Sequence, residues 1–119
     1  MASTILIVDD EALIALDMEA ALRDDGFVET IEVAGGIAPA IERIGRGGIA
    51  CVVLDADLDG ESARGVAECL RTQDVPFVVT TGYAADQLDW LGDAPLLAKP
   101  VDPKRLAAAV RDLTWSGGG

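Results

Sequence analysis

The chain predicts an α/β fold in which five strand–helix units, (βα)5, build one doubly wound five-stranded parallel sheet. Three observations lead there. Apolar runs of strand length alternate with longer amphipathic stretches along the 119 residues. The runs Thr4-Ile5-Leu6-Ile7-Val8, Ala50-Cys51-Val52-Val53-Leu54-Asp55 and Pro76-Phe77-Val78-Val79-Thr80 are apolar nearly throughout instead of alternating, as strands covered by helices on both faces are. Each strand is followed by a helical stretch, so successive strands run parallel through right-handed crossovers. The length suits one domain with a proper core.

The elements follow in order. Residues 4–9 read as a strand. Residues 11–25 read as a helix with Leu13, Leu16 and Ala20, flanked by Ile14 and Ala21, on its buried side; Asp10 is its expected cap and Gly26 its stop. A second strand covers 28–33 and a second helix the region near 36–46. The third strand, 50–55, precedes a helix near 61–72; the fourth strand, 76–80, precedes a short helix within 84–91. The last strand covers 95–98, and Asp102-Pro103 supplies a capping residue and a first-turn proline for a final helix over 103–113. Residues 1–114 are expected to form the domain and 115–119 a flexible tail.

Composition removes several function classes. Twenty-one acidic against nine basic residues give a formal net charge of −12. Nucleic-acid surfaces need clustered Lys and Arg, so direct DNA or RNA binding is not expected. The chain has no histidine, which excludes Ser-His and Cys-His catalysis and His-ligated zinc on this chain. No apolar run has the length of a membrane span. Cys51 and Cys69 lack metal or redox spacing and read as apolar residues; a cytoplasmic location is expected.

The remaining chemistry is carboxylate chemistry, and it gathers in LDADLDG, residues 54–60. An EF-hand loop starting at Asp55 needs a bidentate Glu at its twelfth position, and Val66 stands there. A dehalogenase-type phosphatase shares the strand-ending D-x-D but carries it near the start of a longer chain with a lid; here it ends the third strand. A phosphoacceptor aspartate beside a metal ion is the third option. In parallel sheets ligands bind beyond the carboxyl ends of the strands, and those ends carry Asp9-Asp10, Asp55 with Asp57, Thr81 and Lys99-Pro100. Three carboxylates brought together repel unless a cation joins them. Magnesium suits a site of few carboxylates that leaves room for phosphate oxygens. Taken singly, Asp9-Asp10-Glu11 can serve a helix end, Asp55-Asp57-Asp59 a solvated loop, Thr81 a helix cap, with Thr80 its competitor for any role of the hydroxyl, and Lys99 can be an ordinary exposed lysine.

The strings ILIVDDE, VVLDADLDG, VVTTGY and LLAKP, in that order at strand ends, strongly resemble the receiver domain of bacterial two-component response regulators across residues 4–113. The resemblance implies a flavodoxin-like strand order 2-1-3-4-5. It implies that Asp55 accepts a phosphoryl group from the phosphohistidine of a histidine kinase or histidine phosphotransfer protein. Asp9, Asp10, Asp55 and the backbone carbonyl of Asp57 would hold Mg2+. Thr81, which precedes the small residue Gly82, would be the switch hydroxyl, with Lys99 bridging to the acid and then to the phosphate, and Pro100 following a cis bond. A receiver of this kind catalyses its own phosphorylation and slow dephosphorylation and is no dedicated enzyme. A degenerate receiver acting as a phosphorylation-independent interaction module is the alternative.

The chain departs from the family at Leu96, where most receivers carry Tyr or Phe three residues before the lysine. PFVVTTGY also resembles the PFxFATGY string of single-domain receivers that accompany stress- and light-responsive kinases, with Thr80 in place of Ala. The chain is expected either to work alone as a phosphate sink, shuttle or protein-binding switch, or to be a fragment of a longer chain. Trp90 and Trp115 are expected to pack or lie at a surface, and Tyr83 to cover the site entrance.

Overall fold

The computed structural model describes residues 3–82 and 88–117, with side chains to residue 114. Five parallel strands form one sheet: β1 (Thr4–Val8), β2 (Thr30–Ala34), β3 (Ile49–Asp55), β6 (Phe77–Thr81) and β7 (Leu96–Ala98), in spatial order β2-β1-β3-β6-β7. Counting these five alone, the order is the expected 2-1-3-4-5. A two-stranded hairpin, β4 (Asp57–Leu58) with β5 (Glu61–Ser62), follows β3 directly. The helices are α1 (Ala12–Asp24), α2 (Ile37–Gly45), α3 (Arg64–Thr72) and α4 (Pro103–Gly117). None of the described helices is long and apolar enough to cross a membrane.

Side chains alternate across a strand, and because the central strands have helices on both faces, alternate residues enter two separate cores. Ile5, Ile7, Cys51, Val53 and Val78 pack with Met18 and Leu22 of α1 and Leu106 and Val110 of α4. Leu6, Val8, Val52, Leu54 and Val79 pack with Ala40 and Ile44 of α2 and Val66 and Leu70 of α3. Trp90 is buried in the second core beside Leu88 and Leu91. The edge strands β2 and β7 are only partly covered.

Local signals at helix ends are realised in part. Pro103 opens α4, and Asp102 Oδ1 accepts the Lys104 N–H at 2.9 Å. Gly26, at φ +95°, follows the end of α1. With no Gly or Pro between Pro103 and Gly117, α4 continues through residues 115–117 of the expected tail. The expected cap of α1 is corrected: Asp10 makes no capping bond, Glu11 stands at the cap position, and the Glu11 N–H is taken by Asp9 Oδ1 at 2.9 Å. The segment expected as a short helix within 84–91 falls largely outside the described residues. Its end is a turn, closed by the Leu91 N–H on the Leu88 carbonyl at 3.1 Å.

The buried face of α1 is also corrected. Leu13 and Leu16 are 77% and 59% exposed, and Ala20 is exposed as well. The core takes Ala15, Met18 and Leu22, with Ile14 and Ala21 half-buried. The helix is apolar nearly all round, so two stripes compete. Leu13 and Ala20 share their stripe, at spacings of three and four, with Asp17 and Asp24, and burying it would desolvate two carboxylates.

Leu22→Ala is therefore expected to destabilise the protein by about 2–5 kcal/mol, whereas Leu16→Ala stays within about 0.5 kcal/mol of wild type. Urea unfolding of the two variants checks the assignment; equal losses would contradict it.

Candidate functional site

The site is the top layer of the core between the sheet, α1 and α4. The alternation that sends Ile7, Val53, Val78 and Leu97 to that face sends the residue two places on to the same face. Those residues are Asp9, Asp55, Thr80 and Lys99. Backbone bonds carry the parallel pattern past the formal strand ends, from Asp9 N–H to the Ala34 carbonyl at 3.1 Å and from Lys99 N–H to the Thr81 carbonyl at 2.8 Å. The acids thus stand at the carboxyl edge of the sheet because they follow strands that end there.

Asp55 is 3% exposed, and both its oxygens are engaged. Oδ1 accepts the Asp57 N–H at 3.2 Å, and Oδ2 accepts the Lys99 ammonium at 3.0 Å. Lys99 reaches it from the loop after β7, where the Lys99–Pro100 peptide bond is cis. Asp9 is 1% exposed; its Oδ1 takes the Glu11 N–H, while its buried Oδ2 has no hydrogen-bond partner among the described residues. Asp10 is exposed, yet carboxylate oxygens of Asp9, Asp10 and Asp55 all lie within 4.8 Å of one another. An open cleft of about 380 Å³ is lined by Asp10, Asp55, Asp57, Thr81, Gly82 and Lys99. Asp9, Asp10, Asp55, Asp57, Thr81 and Lys99 therefore lie together at this edge of the sheet.

Among the described residues, Lys99 is the cation paired with this group of acids. Burial pushes Asp55 above the ordinary aspartate range; the Lys99 hydrogen bond and the Asp57 N–H pull it back only in part, and the charge of Asp10 adds to the rise. Burial likewise raises Asp9, against the Glu11 N–H, with repulsion from Asp55 contributing. Partial burial works against the Lys99 charge, but the hydrogen bond and charge of Asp55, with Asp9 and Glu11, outweigh it and leave the amine above its usual value. The ion pair is thus insufficient for the acids around it.

The donor set fits a divalent cation taken up by oxygen ligands. A buried carboxylate oxygen lacks a partner, a second and third carboxylate lie within bridging distance, and the cleft is open to solvent. Asp9, Asp10 and Asp55 are the side chains placed to hold it.

The sequence reading missed the hairpin that shapes the cleft. Asp59 and Gly60 both have positive φ, +54° and +82°, and join β4 to β5 as a two-residue turn. Asp-Gly is the local signal for such a turn, and it stands in LDADLDG. Leu96 is half-buried against the core that holds Trp90. Tyr83 lies outside the described residues. Burial drives the Cys51 thiol up to about 12, so it stays an inert apolar group, while Cys69 is half-buried.

A five-stranded parallel sheet with an acid-lined cleft and a lysine at its carboxyl edge defines a class of signalling domain, and the comparisons give its family. Over residues 5–111 the chain matches the response regulator receiver domain, and it belongs to that family. A response regulator receiver protein from Sinorhizobium medicae WSM419 is 34% identical, with a TM-score of 0.84 over 98% of this chain and 97% of that one. SdrG from Pseudomonas melonis Fr1, whose solution structure is of the BeF3-activated conformation, is 36% identical with a TM-score of 0.78 over 95% of this chain and 97% of that one. Phyllosphere-induced regulator PhyR of Methylorubrum extorquens is 34% identical over 92% of this chain and 43% of its own length. The chain spans about half the length of the curated relatives it matches.

A divalent cation held by these carboxylates would compete with protons for Asp9 and Asp55. Because both take up protons at higher pH than an ordinary aspartate, Mg2+ affinity is expected to fall on acidification before the ordinary aspartate range is reached. Calorimetric titration with Mg2+ across pH measures this. An affinity constant down to the ordinary range would contradict it.

Proposed function

We propose that the protein is a phosphorylation switch in which Asp55 takes a phosphoryl group from a phosphohistidine on a histidine kinase or histidine phosphotransfer protein. The observation that carries this reading is Asp55 itself. It ends the middle strand of the sheet, its carboxylate is fixed by Lys99 and the Asp57 N–H, and it faces Asp9 and Asp10 across bridging distance. The family and the SdrG likeness support it.

In the transfer, a carboxylate oxygen of Asp55 forms a bond to phosphorus as the phosphorus–nitrogen bond of the donor breaks, and the electron pair returns to the donor imidazole. Asp9, Asp10, Asp55 and the Asp57 carbonyl would hold a Mg2+ ion, which when bound would supply charge neutralisation for the phosphoryl oxygens. The chain's own groups do the rest. The Asp57 N–H orients the nucleophile, and charged Lys99 follows the new negative charge from Asp55 to a phosphoryl oxygen. The Thr81 hydroxyl, which lines the cleft, donates to another. Positioning supplies most of the rate, because the fixed groups need little rearrangement. Slow loss of the phosphoryl group follows by in-line attack of water on phosphorus.

The downstream readout is a protein contact. A net charge of −12 makes direct nucleic-acid binding unfavourable. With Leu96 in place of an aromatic ring, the change is carried by Thr81, Lys99 and the loops beyond β3, β6 and β7. The intact set of Asp9, Asp10, Asp55, Thr81 and Lys99 argues against a degenerate, phosphorylation-independent module.

Incubation with a small phosphodonor and Mg2+, followed by mass spectrometry, tests the acceptor. Asp55→Asn is expected to lose the phosphoryl adduct completely. It should remain as stable as the metal-free wild type or become more so, since the fold already disfavours the Asp55 charge. Asp57→Asn is expected to keep the adduct, because its contribution is a backbone carbonyl, and to alter mainly the hydrolysis rate. An adduct that survives in Asp55→Asn, or is lost only in Asp57→Asn, overturns the reading.

Amide exchange with and without Mg2+ and fluoroberyllate tests the switch. Changes are expected within residues 80–105; a response confined to a remote surface would refute that route.

A further inference from the structure

We infer that Thr80 is a positioning residue for the phosphorylated state: its hydroxyl, without a hydrogen-bond partner among the described residues, accepts a hydrogen bond from the Lys99 ammonium once that group has followed the phosphoryl charge. The inference rests on the reading of Asp55 as acceptor.

Three observations place Thr80 there. The first is topology. β6 lies between β3, which ends in Asp55, and β7, which leads to Lys99, so the Lys99 side chain must cross β6 to bring its ammonium 3.0 Å from Asp55 Oδ2. The second is register. Thr80 is paired with Asp55 on one side and Leu97 on the other, and it follows Val78 by two residues, on the face toward α1 and α4. Lys99 follows Leu97 by two on the same face. The residue that the lysine crosses is therefore Thr80. The third is the state of the hydroxyl. Thr80 is 0% exposed, and its Oγ1 has no hydrogen-bond partner among the described residues.

A buried hydroxyl with no partner is a cost that an apolar residue of the same shape would avoid. Valine would fill this position, as it does at Val78 and Val79 below it, and alanine stands here in the PFxFATGY string. The cost is recovered if another state supplies the partner. In the resting state one Lys99 donor is spent on Asp55 Oδ2. An ammonium has three donors, and a lysine bonded to a phosphoryl oxygen on Asp55 still lies across β6, the strand that carries Thr80. A hydroxyl accepting there fixes the lysine over the phosphoryl group, where bonds to charged groups are stronger than neutral ones. Thr80 thus acts through Lys99 and does not itself touch the transferred group.

The test is a thermodynamic cycle on Thr80→Val, Thr80→Ala and Thr80→Ser, using fluoroberyllate with Mg2+ as the phosphoryl mimic. Without the mimic, Thr80→Val is expected to raise Tm, because the unpaired hydroxyl is gone. With it, Thr80→Val and Thr80→Ala are expected to bind fluoroberyllate roughly tenfold more weakly than wild type, the loss of one hydrogen bond to a charged group. Thr80→Ser keeps the hydroxyl and is expected to restore wild-type affinity, which a purely packing role would not do. Wild-type affinity in both Thr80→Val and Thr80→Ala, or the same loss in Thr80→Ser, overturns the inference and leaves the acceptor assignment standing. Failure of the wild-type protein to bind fluoroberyllate would overturn that assignment as well. Should Thr80→Val not fold, Thr80→Ala decides.

Discussion

The Lys99–Asp55 ion pair is the contact on which the arrangement at the sheet edge depends. It joins the ends of two strands that are not neighbours, crossing β6 between them, and it sets a lysine against a group of acids of which Asp9 and Asp55 are buried and Asp10 is exposed. Two of those acids, Asp9 and Asp55, belong to the α1 and α4 face by the same period-two alternation that fills the core beneath them. The site is in this sense the last layer of the core, with carboxylates where the lower layers have Ile, Val and Cys. Packing below positions the strands that carry this layer, and the ion pair fixes the side chains at its top.

The electrostatics are accordingly unbalanced. Burial raises Asp9 and Asp55 in spite of Lys99, and Asp9 Oδ2 is left without a partner among the described residues. A cation and a phosphoryl group relieve different parts of this imbalance. In the function we propose, a cation would answer the excess of carboxylate charge, and a phosphoryl group would draw the lysine away from Asp55 and so change which buried groups are paired. A site satisfied in the resting state would have less reason to respond to either.

Much of this was legible in the chain. The five strands were readable because apolar runs such as TILIV and CVVLD are too continuous for any but doubly covered strands, and acids directly after them had to fall at one edge of a parallel sheet. Other features were less so. In α1 the string ALIALDMEAAL is apolar around most of its circumference, so the count of apolar residues favoured Leu13 and Leu16, while the two aspartates on their stripe decided the matter the other way. The Asp59-Gly60 turn was hidden inside a string whose three aspartates drew attention to metal and phosphate chemistry. Asp9 and Asp10 are adjacent and chemically identical, and only strand geometry shows that Asp9 is the buried one, bonded to the Glu11 N–H, and Asp10 the exposed one.

By itself, then, the amino-acid sequence determined the kinds of element, their order, the doubly wound sheet and the set of residues Asp9, Asp10, Asp55, Asp57, Thr81 and Lys99 at its carboxyl edge. These follow from periodicity and from where polar residues interrupt it, which are local properties of the chain. Tertiary structure decided which stripe of α1 is buried, which of two adjacent acids is desolvated, and that β6, with Thr80 paired to Asp55, stands between Asp55 and Lys99. Those outcomes depend on which faces meet across the sheet, and a local pattern records which residues share a face without recording what that face will touch.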